Sequence, residues 1–341
     1  MLMNRATLSN RQSTDDSIMG AVVGVVGCGR WGLNHLKTLS ELKTRGLISA
    51  IHACDIQSGK LVEASKYADT FCTDWQTLVT NHHLDIVAIV TPADTHHDLA
   101  ISLLDYCRAV FIEKPIGLSR EEASSIIAKV QQTDSKLLVG HILRFHDAIN
   151  EAIKIITAGE IGELQKIEFN RITTRQPPDN PNIFEAMAIH GIDTACYSFG
   201  ELEPSTLSVS NLALNANKYP INAKLSLTFP GMKEACIEVG WNGNEENREV
   251  QYFGANGTIL VETSTSSKLI IKTQENERIW VIDNSELPLM KEWQYLLQPL
   301  NTASQQAIYP LPEAIIRSIK WIELANHKIQ NTSTELDESI E

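Results

Sequence analysis

The sequence runs to 341 residues, room for about two domains at roughly 150 residues each. Apolar side chains make up 43% and charged ones 21%; these ordinary globular values exclude a largely disordered chain, and no unbroken apolar run approaches the ~20 residues of a membrane span. Acidic residues number 42 against 29 basic, a net charge of −13, and such a surface repels phosphate backbones, which argues against nucleic-acid partners and anionic membranes.

Residues 1–18 are polar, lack the apolar stretch of a secretory signal, and read as a flexible leader of a cytoplasmic protein. A small and β-branched run over 20–26 reads as a buried strand, followed by a helix over 31–43 and a strand over 48–54. Helices over 58–67 and 74–80 precede the plainest buried strand, 85–90, which is apolar from Ile86 to Val90. The spacing then predicts a helix over 95–107, a strand over 109–112, a helix over 119–131 opened by Ser119 and Glu122 as a capping box, and a strand over 136–140. Apolar strands alternating with helices of 10–15 residues mean a parallel sheet covered on both faces, a doubly wound domain over 19–142.

After Gly140 the rhythm changes. A helix over 145–158 leads to an alternating strand over 164–174, a loop with Pro177, Pro178 and Pro181, and a helix over 184–199. Seven strands with short turns then follow between 207 and 282, and a helix over 313–327 closes the chain ahead of a flexible tail over 329–341. Consecutive strands with short turns mean an antiparallel sheet. The fold class expected is α/β: an N-terminal doubly wound parallel (Rossmann) sheet, then an α+β domain over 143–328 with a large, mostly antiparallel sheet. The six cysteines at 28, 54, 72, 107, 196 and 236 contain no C-x-x-C pair and read as free thiols of a reducing compartment.

Gly27-Cys28-Gly29-Arg30-Trp31-Gly32 is G-x-G-x-x-G between the first strand and the first helix. That is the context in which the glycines allow a tight turn, close approach of a pyrophosphate, and close packing of helix on strand. Asp55 ends the second strand, where an acid accepts ribose hydroxyls and repels a 2′-phosphate, favouring NAD; Lys60 nearby keeps NADP open. Thr91, Pro92 and His96 follow the strand 85–90 at its carboxyl end, where such sheets bind ligands; His96 reads equally as a structural histidine or as site lining. Glu113 and Lys114 follow the next strand, and a lysine there can polarise a substrate oxygen or stand in a solvated loop. His141 and Arg144 fall at the domain junction. His190 is placed on the face of helix 184–199 away from most of its apolar stripe, a partly exposed histidine with Asp193 at i+3; histidine suits proton transfer near neutral pH. No H-E-x-x-H, G-x-S-x-G or Walker motif is present, so neither a metal site nor a serine nucleophile is expected.

Taken together, residues 20–328 resemble the Gfo/Idh/MocA family of NAD(P)-dependent oxidoreductases. The matches are Gly27 to Gly32, Asp55, Thr91-Pro92 with His96, Glu113-Lys114-Pro115, Gly140-His141-x-x-Arg144-Phe145, His190-x-x-Asp193 and Gly254-x-x-Gly257-Thr258. The resemblance implies a Rossmann domain holding NAD, or NADP, through Gly27, Gly29, Arg30, Trp31, Gly32, Asp55, Thr91, Pro92, His96, Glu113 and Lys114. It implies Lys114 as the catalytic lysine, His190 as proton donor and acceptor, and a sheet domain whose open face joins copies of the chain into dimers or tetramers. It also implies a frequent cis bond in the Glu-Lys-Pro segment. The substrate implied is a sugar, an inositol or a nucleotide-linked sugar, oxidised or reduced at a secondary carbinol.

Arg144, Asp193, Arg171 and Arg175 are the candidates for holding the substrate, since guanidinium groups grip phosphate or carboxylate; Arg171 and Arg175 read equally as surface arginines. One position departs from the family pattern. Relatives commonly carry an aspartate four residues before the catalytic histidine, and here that residue is Ala186. Glu185, one residue off and about 100° around a regular helix, is not expected to replace it. The same residues fit two other members of the family: a sensor that binds dinucleotide and ligand without turnover, and a redox-neutral enzyme with tightly held NAD.

Overall fold

A computed structural model describes residues 20–178, 182–217, 219–283, 285–298 and 307–338, with side chains up to residue 329. The expected leader lies outside these residues, as does the centre of the proline loop. The first half alternates strand and helix: β1 Ala21–Val26, α1 Arg30–Thr44, β2 Ile48–Cys54, α2 Ser58–Ala64, β3 Thr70–Cys72, α3 Trp75–Asn81, β4 Ile86–Ile89, α4 His96–Leu103, β5 Ala109–Ile112, α5 Arg120–Thr133 and β6 Lys136–Val139. Their starts are chemically marked. The Asp74 carboxylate accepts the Thr77 amide at the head of α3, and the Ser119 hydroxyl accepts the Glu122 amide at the head of α5.

The second half holds α6 Asp147–Thr157, β7 Leu164–Ile172, a π turn Phe184–Ala188 running into α7 Ile189–Ser198, then β8 Thr206–Leu214, β9 Pro220–Phe229, β10 Lys233–Gly240, β11 Asn247–Gly254, β12 Gly257–Glu262, β13 Lys268–Thr273 and β14 Glu277–Val281. Last come α8 Pro288–Leu297, β15 Ile308–Tyr309 and α9 Pro312–Glu338. The closing helix therefore runs on through most of the expected tail.

The first sheet is parallel, in the order β15-β6-β5-β4-β1-β2-β3. Strands run outward in both directions from the β1/β4 boundary, which is where an open α/β sheet forms its ligand crevice. Residues 86–89 are buried at every position, as expected of a strand covered on both faces. The second sheet is ordered β14-β13-β12-β11-β7-β10-β9-β8, and its pairs are antiparallel except for β7 with β10, which is parallel. Helices α6, α7 and α9 pack on one face of it.

The segment between β14 and α9 does not stay with the second sheet, to which it was assigned by position. Leu289, Met290, Trp293 and Leu296 of α8 pack with Val23, Val25, Leu36 and Phe111 on one face of the first sheet, and β15 pairs with β6 at its edge. The fully buried Lys136 on β6 donates to the carbonyls of Tyr295 at 2.7 Å and of Leu296 and Gln298 at 3.4 Å. It caps the carboxyl end of α8, where a positive charge is favoured.

Candidate active site

The glycine loop leaves the end of β1 and enters α1. Gly27 takes φ +99°, and a Cβ there would stand 2.5 Å from the Val90 carbonyl oxygen. A Cβ on Gly32 would stand 2.0 Å from the Gly27 carbonyl, so only glycine lets α1 start this close to the strand. At Gly29 the space beyond an added Cβ is open. That is the cradle a pyrophosphate needs: a free backbone at the positive end of a helix with nothing in the way. Asp55 is buried and accepts the amides of Cys28 at 2.8 Å and Gln57 at 2.9 Å. It pins the loop to the end of β2 and keeps lone pairs for a ribose diol. Lys60 Nζ stands 4.0 Å from it. The residues present fit a dinucleotide.

Glu113, at the carboxyl end of β5, organises the floor of the crevice. Its carboxylate accepts from the Trp31 indole and the Lys114 amide and lies 3.0 Å from His35 Nε2. Burial raises its pKa, but the hydrogen bond and charge of His35, with Lys114 and Trp31, bring it below the usual carboxylate value. His35 is held from behind by the Trp293 indole at 3.1 Å. Helix α8 thus buttresses the floor, and neither His35 nor Trp293 stood out in the sequence. His96 bridges the loops after β4 and β5, its ring nitrogens 2.7 Å from the Pro115 carbonyl and 2.9 Å from that of Thr91. It is buried and shapes both loops, while the Thr91 hydroxyl is engaged by that of Thr95.

The Lys114–Pro115 bond is cis. Lys114 is half-buried, and its Nζ donates to the carbonyls of Ala186 at 2.9 Å and Glu185 at 3.3 Å, both within the π turn ahead of α7. Its pKa is lowered to about 8, chiefly by burial, with the Arg171 charge acting in the same direction and the charges of Glu113 and Glu185 opposing. His190 follows one step later on α7. It is buried, not partly exposed as its helix position suggested. Burial, then the charges of Arg171 and Lys114 and the neighbouring His141, hold its pKa well below the usual histidine value. Neutral imidazole is therefore the resting form at pH 7.

The residue before Ala186, Glu185, lies in the wide i→i+5 turn that leads into α7, and its carboxylate turns to Asn182. The Glu185 carboxylate is half-buried, accepts from the Asn182 amide, and feels the charges of Lys114 and Asp94; burial is the main reason its pKa is raised.

Of the four candidate substrate residues, two are spent on each other. Asp193 accepts Arg144 Nε at 2.9 Å and a terminal nitrogen at 2.8 Å, and the guanidinium reaches on to Glu201 at 2.7 Å while lying 4.7 Å from the Tyr197 ring centre. Burial favours a neutral Asp193, but the Arg144 charge overrides it and holds the carboxyl far below its usual range. This pair joins the end of β6 to α7 and presents no free donor to a substrate. His141 Nδ1 sits 3.4 Å from the same carboxylate. Arg175 is exposed and reaches back to the Thr173 hydroxyl at 3.2 Å. Of the four, Arg171 is the one whose charge acts on His190.

The sequence profile described as an oxidoreductase family with an NAD-binding Rossmann fold, Gfo/Idh/MocA, matches residues 22–141. Among curated proteins, an inositol 2-dehydrogenase of Rhizobium meliloti is 27% identical over 278 residues, covering 73% of this chain and 78% of that protein. The scyllo-inositol 2-dehydrogenase (NAD(+)) of Bacillus subtilis is 31% identical over 185 residues, covering 52% of this chain and 53% of its own. Among solved structures, the UDP-N-acetylglucosamine 3-dehydrogenase from Acidithiobacillus ferrooxidans superposes with a TM-score of 0.77 at 21% identity, over 90% of this chain and 97% of that one, a likeness of fold. The profile is seated on the parallel sheet, so residues 22–141 match the NAD-binding Rossmann fold of the Gfo/Idh/MocA oxidoreductases, and similarity to the inositol 2-dehydrogenase extends well into the second half of the chain.

Proposed function

We propose that the chain is an NAD-dependent dehydrogenase of sugars, inositols or nucleotide-linked sugars, acting on a secondary hydroxyl through Lys114 and His190. The observation that carries this is the seating of the β5 lysine on the turn that delivers the histidine: Nζ lies 2.9 Å from the Ala186 carbonyl. On this reading the contact holds the lysine against the turn that leads to the histidine before a substrate arrives, as proximity catalysis requires. His190, neutral at pH 7, takes the hydroxyl proton in oxidation and returns it in reduction. Lys114 in its charged form donates to the same oxygen and stabilises negative charge as it develops. The nicotinamide, when bound, accepts or supplies the hydride. Gly27, Gly29, Arg30, Trp31 and Gly32 would hold the pyrophosphate side, with Asp55 on the ribose favouring NAD, and Thr91, Pro92 and Glu113 would line the crevice. The substrate class follows the named activities of the inositol and nucleotide-sugar relatives. The open face of the eight-stranded sheet would join copies into a dimer or tetramer, as the family resemblance implies.

The test is absorbance at the NADH band with NAD, and separately NADP, against inositols, free and acidic sugars and nucleotide-linked sugars. One responding class identifies the substrate. K114A should bind NADH yet lose about 10²–10³ in kcat, the usual loss of one preorganised electrostatic donor. Full activity in K114A would rule the lysine out. Tight cofactor and sugar binding without turnover in the wild type would favour the sensor reading, for which Ala186 speaks.

A further inference from the structure

Arg171 lies on the core face of β7, not on the solvent face. It continues the row of Ile167 and Phe169, both buried. Its partner across the β7–β11 pair is Arg248, on the same face as the buried Val250 and Tyr252. Two arginines directly opposite one another on a sheet repel. Arg248 is answered by Glu246, 2.6 Å away. For Arg171, no hydrogen bond or ion pair of its guanidinium is found among the described residues; desolvation and the Arg248 charge, against a smaller opposing pull from Glu246, bring its pKa down to about 10. Such a site resists a positive charge, yet holds one.

The place it occupies is the catalytic end of the row. Gly191, next to His190, rests on Phe169 and Ile237, the neighbours of Arg171 by one step along β7 and β10. The Arg171 charge is felt by both His190 and Lys114. The nearby carboxylates are otherwise engaged: Glu246 with Thr173, Thr174 and Arg248, and Glu185 with Asn182. Ala186 adds no carboxylate where family relatives commonly place one. Beside His190 stand two cations, Lys114 and the half-buried Arg171, and only the charge of Glu246, itself bound to Arg248, is set against the Arg171 guanidinium; a neutral polyol would leave it without an oxyanion partner.

We propose that the substrate bears an anionic group, a carboxylate or a phosphate on the sugar, and that Arg171 receives it beside His190. This rests on the dehydrogenase reading for the substrate's ring but not for the anion site. Arg171 is a specificity-determining residue: the planar fork of a guanidinium binds either oxyanion in two parallel bonds.

Malonate and inorganic phosphate are suitable probes, titrated into the full chain and followed by melting temperature, and into the NADH complex and followed by nicotinamide fluorescence. Wild type should bind at least one saturably, and R171M about tenfold more weakly or not at all, the worth of one charge-assisted bond pair. Which of the two binds separates a carboxylate from a phosphate. Anion-free R171M should melt at or above the wild-type temperature, because it removes an unpaired, desolvated charge. No saturable binding, or equal binding by R171M, overturns the proposal. If NADH fails to bind while malonate or phosphate still stabilises only the wild type, the cofactor reading falls and the anion site stands. In turnover, paired probes such as glucose with glucuronate and with glucose 6-phosphate should favour an acidic twin about tenfold or more in kcat/KM, a preference R171M loses. Turnover of neutral sugars with no such preference would leave a dehydrogenase without this anion site.

Discussion

Asp193 and Lys114 show how partners decide what a charged side chain does. In sequence, Asp193 stands three residues after His190 and reads as its companion; in space it belongs to Arg144, forty-nine positions away. With both side chains 3% exposed, removing one partner strands the other charge, so D193N should cost about 3–5 kcal/mol. Urea unfolding measures this, and the paired replacement R144M with D193L should cost less than D193N alone. Lys114 makes a prediction about pH. Its pKa, lowered chiefly by burial to about 8, places loss of the ammonium just above neutrality. The kcat/KM for alcohol oxidation should therefore fall as pH rises through about 8. K114R, which stays charged at all these pH values, should be slower but lose that alkaline limb. A limb unmoved in K114R would assign it to another group. The types of residue in the site were legible in the sequence because motif spacing fixes them. Their pairings were not, since a motif says nothing of which charge lies opposite across a fold.

At the scale of elements, periodicity found every strand longer than three residues between 20 and 281, because each carries an apolar row. β3 and β15 span three and two residues, too short to show a period. α8 was not among the expected elements, although Leu289, Met290, Trp293, Leu296 and Leu297 make a helical stripe. The π turn was not legible at all: nothing in Phe184 to Ala188 marks an i→i+5 bond, and it is what brings Glu185 toward Lys114. Gly191 sets how closely α7 approaches the sheet. A methyl there would meet Ile237 at 2.6 Å and Phe169 at 2.8 Å. G191A should destabilise by about 1–3 kcal/mol through overpacking, and it should lower kcat with NADH affinity unchanged, because the helix that shifts carries His190 and not the glycine loop. Thermal melts and NADH titration together check both halves of that statement.

Over the whole molecule, the chain leaves the parallel sheet after β6 and comes back to finish it. α8 covers one face and β15 closes an edge, so the boundary at 142 that the strand–helix rhythm suggested omits part of the first core. A fragment of residues 20–142 should unfold without a sharp transition and bind NADH far more weakly than the full chain; a cooperative melt of that fragment would show that α8 and β15 are dispensable. Loss of Trp293 alone, a fully buried ring stacked 5.4 Å from Phe111, should cost about 3–5 kcal/mol as W293A. The late return of β15 also bears on how the protein is made. β6 ends at Val139, and its outer partner starts at Ile308. At ~5–20 residues per second, roughly ten to thirty seconds of translation separate the two. Through that interval the nascent sheet shows an unpaired parallel edge, the kind of surface that captures other strands. The finished enzyme buries this hazard, but the ribosome-bound chain must carry it, and slow synthesis or a scarcity of chaperones would be felt first at β6.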